Sequence, residues 1–194
     1  MLQRHRTLVR RCVVAGLLSI ALLASLSTPG SAAGGENGPR QPEYLIKAAY
    51  LYNFALFVEW PDDAFADLDA PFVVGILEPD PFGWAIDKTV EGKRINSRRI
   101  VVERLQSTQD LRHCHILFVS GADGAVAADL TKRLGSLPIL IVDDAPKGAE
   151  PSGTVTFTVK DDKVGFEIDL QAAKRTRLKI GSRILSLARF VRGS

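Results

Sequence analysis

The chain has 194 residues, of which 46% are apolar and 24% are charged, with a formal net charge of +3. This length suits one globular domain or two small ones. The composition excludes a disordered, collagen-like or coiled-coil protein.

The N-terminal 33 residues have the organisation of a secretory signal peptide. Four arginines at positions 4–11 precede an apolar block at 13–26, and Ser31-Ala32-Ala33 forms a small-residue cleavage zone. The block is shorter than the roughly 20 residues that span a bilayer, although an uncleaved anchor remains an alternative. Cleavage after Ala33 removes four basic residues and no acidic one, which changes the charge from +3 to −1. We therefore expect an exported, periplasmic protein with no nucleic-acid partner.

A flexible leader and a long helix are predicted next. Residues 34–42 are polar and rich in glycine and proline, which is typical of a leader before a single domain at 43–194. Apolar residues recur every three or four positions over 43–60, which predicts a helix of about four turns. Trp60-Pro61 ends it, because a residue before proline avoids the helical region. Nearly every side of this helix is apolar, so it is either deeply packed or part of a dimer or partner interface.

The middle of the chain alternates between short apolar runs and helical segments. The unbroken run at 72–77 predicts a strand covered on both faces. Asp80 and Pro81 predict the N-cap and first position of a short helix that ends near Val90. A strand–helix–strand unit follows, for which parallel pairing is the default. The remaining strands are predicted at 95–104, 115–119 and 139–142, and the remaining helix at 125–134.

The last third of the chain begins with a hairpin and ends with two helices. Alternating segments at 154–160 and 163–169 are joined by Asp161-Asp162, which predicts an antiparallel hairpin. Helices are predicted at 170–176 and 182–191, the second with a buried stripe of Ile184, Leu187, Ala188 and Val191. The sum is an α/β fold: a mixed, mostly parallel sheet flanked by helices on both faces, with a late antiparallel hairpin.

Two polar motifs invite a metal-site interpretation. Asp143-Asp144 ends a predicted strand, like the acidic pair that holds Mg²⁺ in receiver domains. Only 50 residues follow it, however, and export makes cytoplasmic phosphotransfer implausible, so a solvated strand end is the simpler interpretation. His113-Cys114-His115 cannot close around one ion, because alternate residues of a strand face opposite sides.

No catalytic motif is found. The sequence lacks a Gly-x-Ser-x-Gly elbow, a phosphate-binding loop and a dinucleotide fingerprint. We therefore predict no catalytic residue, no metal and no cofactor, and an exported hydrolase remains an alternative only if it carries an unrecognised nucleophile or metal. Cys12 leaves with the signal peptide, so no internal disulfide can form. Cys114 is either a small buried residue or a reactive thiol in an oxidising compartment.

Glu167 lies between Phe166 and Ile168 in a predicted strand. If it faces inward it needs a cationic partner, because an unpaired buried carboxylate is costly. The alternative is a carboxylate on a solvated face. The candidate partners are Arg175, Arg177 and Arg183. The basic runs at 93–99 and 174–179 are either solvated faces or sites for an acidic ligand or partner.

Four segments stand together in an order that matches a known family. They are 44–61, Asp80-Pro81-Phe82-Gly83, 153–168 with Phe166-Glu167-Ile168, and 182–188. Over 43–190 the chain thus resembles the YfiR/HmsC-like family of small periplasmic proteins. The resemblance implies a non-enzymatic repressor that binds the periplasmic sensor domain of an inner-membrane diguanylate cyclase, lowering cyclic di-GMP and biofilm formation. It also implies an outer-membrane lipoprotein that sequesters the repressor, a homodimer, and a mixed sheet flanked by helices.

The resemblance also singles out individual residues. Phe166, Glu167 and Ile168 match the family motif and are expected to maintain the repressing state, with Arg175 and Arg183 as further candidate partner- or ligand-binding residues. Better-studied members carry disulfides, and Cys114 matches one of their cysteines. Gly75 stands at the position of its partner, and Arg177 stands where a glycine is expected. The alternative function is a periplasmic sensor whose basic residues bind an anionic metabolite and which signals to another membrane receptor.

Overall fold

The computed structural model describes residues 42–121, 124–144 and 151–193. The predicted signal peptide, nearly all of the predicted leader and the turn after Asp144 lie outside the described residues. In the part that is described, no helix is long and apolar enough to cross a membrane. The helices are α1 (Glu43–Phe57), α2 (Trp84–Val90), α3 (Gly124–Arg133), α4 (Leu170–Arg175) and α5 (Ser182–Leu185). The strands are β1 (Val58–Glu59), β2 (Phe72–Leu77), β3 (Arg94–Ile95), β4 (Arg98–Leu105), β5 (Ile116–Ser120), β6 (Leu140–Asp144), β7 (Val155–Lys160), β8 (Lys163–Asp169), β9 (Lys179–Ile180) and β10 (Phe190–Arg192).

Among the described residues, eight strands form one mixed sheet in the order β10-β8-β7-β6-β5-β2-β4-β3. The five strands from β7 to β4 are mutually parallel. β7 and β8 form the predicted antiparallel hairpin, and β10 lies parallel to β8. A separate two-stranded antiparallel sheet joins β1 to β9. The predicted α/β fold, with a mostly parallel sheet and a late hairpin, is confirmed.

Helices cover both faces of the sheet, as the continuous apolar strands predicted. All six residues of β2 are buried. Phe72, Val74 and Ile76 point into the larger apolar cluster, which contains side chains of α1, α2 and α5. Leu77 points into the smaller cluster on the α3 side.

The first helix is shorter than predicted. It ends at Phe57, and Val58 already has an extended backbone, with φ −98° and ψ 138°. Val58 and Glu59 instead pair with Ile180 and Lys179 as a short antiparallel ladder. A contact with a distant segment therefore ends the helix before the Trp60-Pro61 step does.

One local prediction in the middle of the chain is wrong, and a second is only partly correct. Asp80 does not cap α2: its Oδ1 accepts a hydrogen bond from the Phe82 N–H at 2.7 Å, and the helix begins only at Trp84. The strand predicted at 95–104 is interrupted by a turn at Asn96 and Ser97, which have φ values of +48° and +71°. This turn separates β3 from β4 and makes them a tight hairpin.

The final predicted helix, at 182–191, forms only over its first four residues, and its last two belong to a strand. α5 ends at Leu185, and Phe190–Arg192 forms β10 against Glu167, Ile168 and Asp169. Ile184 is buried as expected, but Leu187 is 51% exposed. The apolar spacing suited a helix, and pairing with β8 overrides that local preference.

Candidate functional site

The three motif residues lie at the centre of β8. Phe166 and Ile168 are fully buried, and Glu167 is half-buried. The ring of Phe166 makes edge contacts with Phe54 at 5.0 Å and with Tyr50 at 5.2 Å between ring centroids. Phe166 therefore attaches α1 to the sheet, while the neighbouring carboxylate has partial access to solvent.

The structure does not bring the candidate arginines to Glu167. Among the described residues, no ion pair involves its carboxylate. The Arg183 guanidinium stacks on the ring of Phe57 at 4.6 Å. Arg177 pairs with Asp63 at 2.9 Å, and Arg175 is exposed at the end of α4. Glu167 and the three arginines thus have separate surroundings.

A buried ion cluster lies beneath the N-terminus of α1. The Lys47 side chain is 1% exposed, and its Nζ pairs with Glu43 Oε1 at 3.0 Å and Asp144 Oδ1 at 2.7 Å. The Tyr44 hydroxyl donates to the other oxygen of Asp144, and its ring lies 4.4 Å from Lys47 Nζ. This cluster fixes the first turn of α1 to the carboxyl end of β6.

Asp143 occupies a second, separate polar pocket. Its carboxylate accepts hydrogen bonds from Ser152 Oγ at 2.9 Å, from the Gly153 N–H at 3.1 Å and from Thr156 Oγ1. Burial raises the pKa of Asp143, and these donors partly counteract that rise. The predicted solvated strand end is therefore wrong for both aspartates. Both carboxylates bond to other groups of this chain. The described residues contain no group of acidic, histidine or cysteine side chains that could hold a metal ion.

This cluster was not predicted, because Lys47 lies in an otherwise apolar helical segment. Tyr44, Lys47, Ala48 and Leu51 follow the spacing of one helix face, and all four are buried. A lysine on such a face requires a carboxylate partner. The acidic pair at the end of the predicted strand 139–142 was the available candidate.

The His-Cys-His segment is divided among three environments. His113 is partly exposed, with Nε2 2.8 Å from Glu103 Oε2. Cys114 is free and buried, and burial raises the pKa of its thiol to about 12, so the thiol is protonated near pH 7. The ring of His115 packs against those of Phe65 and Phe72, and its Nδ1 accepts from the Val73 N–H at 3.1 Å. Burial lowers its pKa to about 4, which keeps the ring neutral near pH 7.

The outward side of α1 is an exposed apolar surface. Leu45, Ile46 and Leu56 are 44%, 50% and 41% exposed, and Ala49 lies between them on the same side. The opposite side of the helix is buried in the larger cluster. The inward side of this helix is therefore core, as one alternative predicted. The outward side presents apolar groups to solvent, and its use as a dimer or partner interface stays a prediction.

A groove of about 590 Å³ lies between α2 and the β3–β4 hairpin. Trp84, Val90, Ile100 and Val102 supply its apolar part. Its basic residues include three members of the predicted basic run, Lys93, Arg94 and Arg99. In this groove, the basic run at 93–99 thus adjoins an apolar surface.

The sequence profile of the YfiR/HmsC-like family matches residues 44–189. The chain belongs to the YfiR/HmsC-like family. A search of curated proteins found no significant match. The YfiR/HmsC-like family is a periplasmic, regulatory and non-catalytic family, and membership is consistent with a role in the control of diguanylate cyclases.

Two positions at which this chain differs from the expected YfiR/HmsC-like residues, Gly75 and Arg177, can be explained by the structure. A Cβ atom at Gly75 would lie 2.8 Å from Cys114 Sγ, so the two expected cysteine positions are neighbours. Arg177 has a φ of +61°, in the left-handed region that favours glycine. The expected glycine at this position therefore suits the backbone, whereas Arg177 adds the ion pair with Asp63.

Proposed function

We propose that this protein is a non-enzymatic periplasmic repressor, which binds the periplasmic sensor domain of an inner-membrane diguanylate cyclase. Repression lowers cyclic di-GMP and biofilm formation. The observation that carries the proposal is the family match over residues 44–189. Export by the predicted signal peptide and sequestration by an outer-membrane lipoprotein belong to the same proposal.

The mechanism is a population shift. A repressor that binds the inactive conformation of the cyclase more tightly than the active one holds the enzyme inactive, and its removal reverses the effect. Such a mechanism needs an exposed interaction surface and no catalytic group. The outward side of α1, with Leu45, Ile46 and Leu56 exposed, supports a protein-binding role.

Deletion of the gene tests the proposal directly. We expect cellular cyclic di-GMP to rise in the deletion strain. A wild-type copy should reverse the rise, and a copy that lacks residues 2–33 should not, because it cannot reach the periplasm. Unchanged cyclic di-GMP in a strain that normally expresses the protein would overturn the proposed function.

The motif residues call for a comparison that separates stability from repression. Phe166→Ala removes a fully buried ring and should cost about 3–5 kcal/mol, so loss of repression would be uninformative. Glu167→Gln keeps the shape of a half-buried side chain with no described ion pair, and should leave stability within about 0.5 kcal/mol. Derepression by Glu167→Gln, Arg175→Ala or Arg183→Ala in a stably folded protein would support a partner-binding role. Full repression by all three would exclude that role.

The homodimer is a further part of the proposal and has its own test. Sedimentation equilibrium of the purified protein gives its mass in solution. We expect a dimer at micromolar concentration, and a monomer over the whole range would contradict it. Ile46→Asp then separates the possible uses of the outward side of α1: loss of repression with the dimer retained assigns this surface to the cyclase.

An anionic-ligand sensor is the second candidate function. The observation that favours it is the groove at α2, where Lys93, Arg94 and Arg99 meet an apolar surface. Calorimetric titration with a panel of dicarboxylate and phosphate metabolites tests it. Selective binding that is lost in Arg99→Glu, together with unchanged cyclic di-GMP in the deletion strain, would favour this function over repression of a cyclase.

A further inference from the structure

One edge of the main sheet is open. β4 pairs with β2 along residues 100–105. On its other side, β3 pairs only with Arg98 and Arg99. No other strand in the described ranges pairs with this side of β4. An open edge is a template to which another extended chain can add.

The hairpin defines which backbone groups point outward. Ile95 and Arg98 flank the two-residue turn and pair across it, so the backbone groups of Arg98 face β3. The direction of these groups alternates along a strand. Ile100, Val102 and Arg104 therefore direct their N–H and C=O groups to the open side. The C=O of Leu105, the next residue, points toward β2 and accepts from the Glu78 N–H at 2.8 Å.

The opposite edge of the sheet ends in β10, a strand of three residues. β10 pairs with Glu167, Ile168 and Asp169 of β8. Beyond β10, the Arg189 side chain lies against Gly165 and donates to the C=O of Lys163. The β10 edge thus offers a strand of only three residues, whereas residues 100–105 of β4 have no strand partner on their outer side in the described ranges.

The groove adjoins the open edge. Ile100 and Val102 of β4 form one wall, and Trp84 and Val90 of α2 form part of the other. Trp84 is 51% exposed, which is unusual for so large an apolar side chain. A strand added to β4 would place alternate side chains against this wall.

The charges of the groove select an acidic occupant. Both carboxylates of the groove are already paired, Glu91 with Lys88 and Asp87 with Arg104, each at 2.6 Å. Lys93, Arg94 and Arg99 have no carboxylate partner among the described residues: Lys93 lies over the Tyr52 ring, and Arg94 donates to a backbone carbonyl. A second copy would bring the same excess of positive charge to the edge, which disfavours self-pairing.

We propose that the outer side of β4 binds an extended acidic segment of a partner protein by strand addition, with its backbone on Ile100, Val102 and Arg104 and its carboxylates on the groove cations. The site does not depend on the proposed cyclase, because the open edge and the unpaired charges define it. Main-chain hydrogen bonds would supply affinity, and the basic groove would supply selectivity.

Three synthetic peptides test the site on the purified protein. The first is a fluorescent eight-residue peptide that alternates glutamate with valine. The second has the same sequence with N-methyl groups on alternate backbone nitrogens, which removes strand donors and keeps the charge. The third replaces each glutamate with lysine. Binding is followed by fluorescence anisotropy, and amide hydrogen exchange of the protein is measured with and without the first peptide.

Matched variants of the protein separate charge from strand pairing. Arg99→Glu reverses a groove charge, and Lys132→Glu reverses an exposed charge on α3 as the control. Val102→Pro removes an outward N–H at a sheet edge, where proline is tolerated best. Circular dichroism checks the fold of each variant. The exchange measurement on the wild-type protein remains decisive if Val102→Pro does not fold.

We expect the acidic peptide to bind and to slow amide exchange at Ile100, Val102 and Arg104. Its affinity should fall about tenfold for Arg99→Glu and stay unchanged for Lys132→Glu. The N-methylated and lysine peptides should bind at least about tenfold more weakly. Equal binding of the N-methylated peptide would show a simple anion site and overturn strand addition. Absence of binding, or of protection along β4, would also overturn it.

Discussion

At the scale of single residues, His115 gives the clearest pH prediction. Burial lowers its pKa to about 4, against an ordinary value of 6.5. Between these values the unfolded chain binds more protons than the folded one, so stability rises with pH. Above pH 6.5 His115 is neutral in both states and does not lower the free energy of unfolding. As the pH falls from 6.5 toward 4, protonation of His115 in the unfolded chain lowers that free energy progressively. At pH 4.5 the expected loss relative to pH 7.5 is about 2–3 kcal/mol.

His115→Gln isolates this effect, because glutamine does not titrate and its carbonyl can accept from the Val73 N–H. Urea unfolding of both proteins at pH 7.5 and 4.5 gives the comparison. The raised pKa of Asp143 acts in the opposite sense, but it is present in both proteins and cancels. An equal loss of stability in wild type and variant would contradict the assignment to His115.

A disulfide should form when Gly75 is changed to cysteine. The added Cβ would lie 2.8 Å from Cys114 Sγ, which is close to the distance between the Cβ of one cysteine and the Sγ of the other in a disulfide. Mass spectrometry and thiol titration without reductant should find neither thiol free. The same Cβ lies 2.8 Å from Leu105 Cδ1, so the control Gly75→Ala should destabilise by about 1–3 kcal/mol through crowding. Two titratable thiols in folded Gly75→Cys would show that the positions cannot be bridged.

Residue roles were harder to predict than elements. Burial was one of two alternatives for Cys114, and the structure agrees with it, whereas Asp143 and Asp144 were predicted at a solvated strand end. Their partners are distant in sequence: Asp144 meets Lys47, and Asp143 meets Thr156. No local pattern encodes such pairs. The sequence allows the inference that a buried lysine needs a carboxylate partner, but it does not show which carboxylate that is.

At the scale of elements, α1 allows a matched comparison within one helix. Leu51 is fully buried, whereas Leu45 is 44% exposed on the outward side. Leu51→Ala should lower the free energy of unfolding by about 2–5 kcal/mol. Leu45→Ala should change it by no more than about 0.5 kcal/mol. Urea denaturation measures both, and a large loss from Leu45→Ala would show that the outward side is not free.

The elements that were predicted well carry their own evidence. β2 is an uninterrupted apolar run, and the β7–β8 hairpin has alternating strands around Asp161-Asp162, which both adopt positive φ. The final segment failed because its apolar spacing suits a helix while its backbone pairs with β8. α1 was overextended for the same reason, since β9 captures Val58 and Glu59. Short strands formed by tertiary pairing are the elements that local patterns miss.

At the scale of the whole molecule, the two faces of the sheet are unequal. The larger cluster joins the sheet to α1, α2 and α5. The smaller cluster joins it to α3, and its described helix members are Ala127 and Leu130. The fold class could be predicted because apolar periodicity fixes which strands are covered on both faces. The difference in size between the two clusters could not be predicted, since it depends on how many side chains each helix buries.

This inequality predicts that α3 opens before the rest of the protein unfolds. α3 buries Ala127 and Leu130, whereas α1 buries two aromatic rings, Leu51 and the ion-paired Lys47 on its inward side. Regions with little buried apolar surface open at free energies below that of global unfolding. Native-state hydrogen exchange in low concentrations of urea should therefore separate the two helices. The Leu130 amide should exchange at a lower free energy and with a weaker urea dependence than the Leu51 amide, which should follow global unfolding. Identical free energies and urea slopes for the two amides would show instead that both faces of the sheet unfold as one cooperative unit.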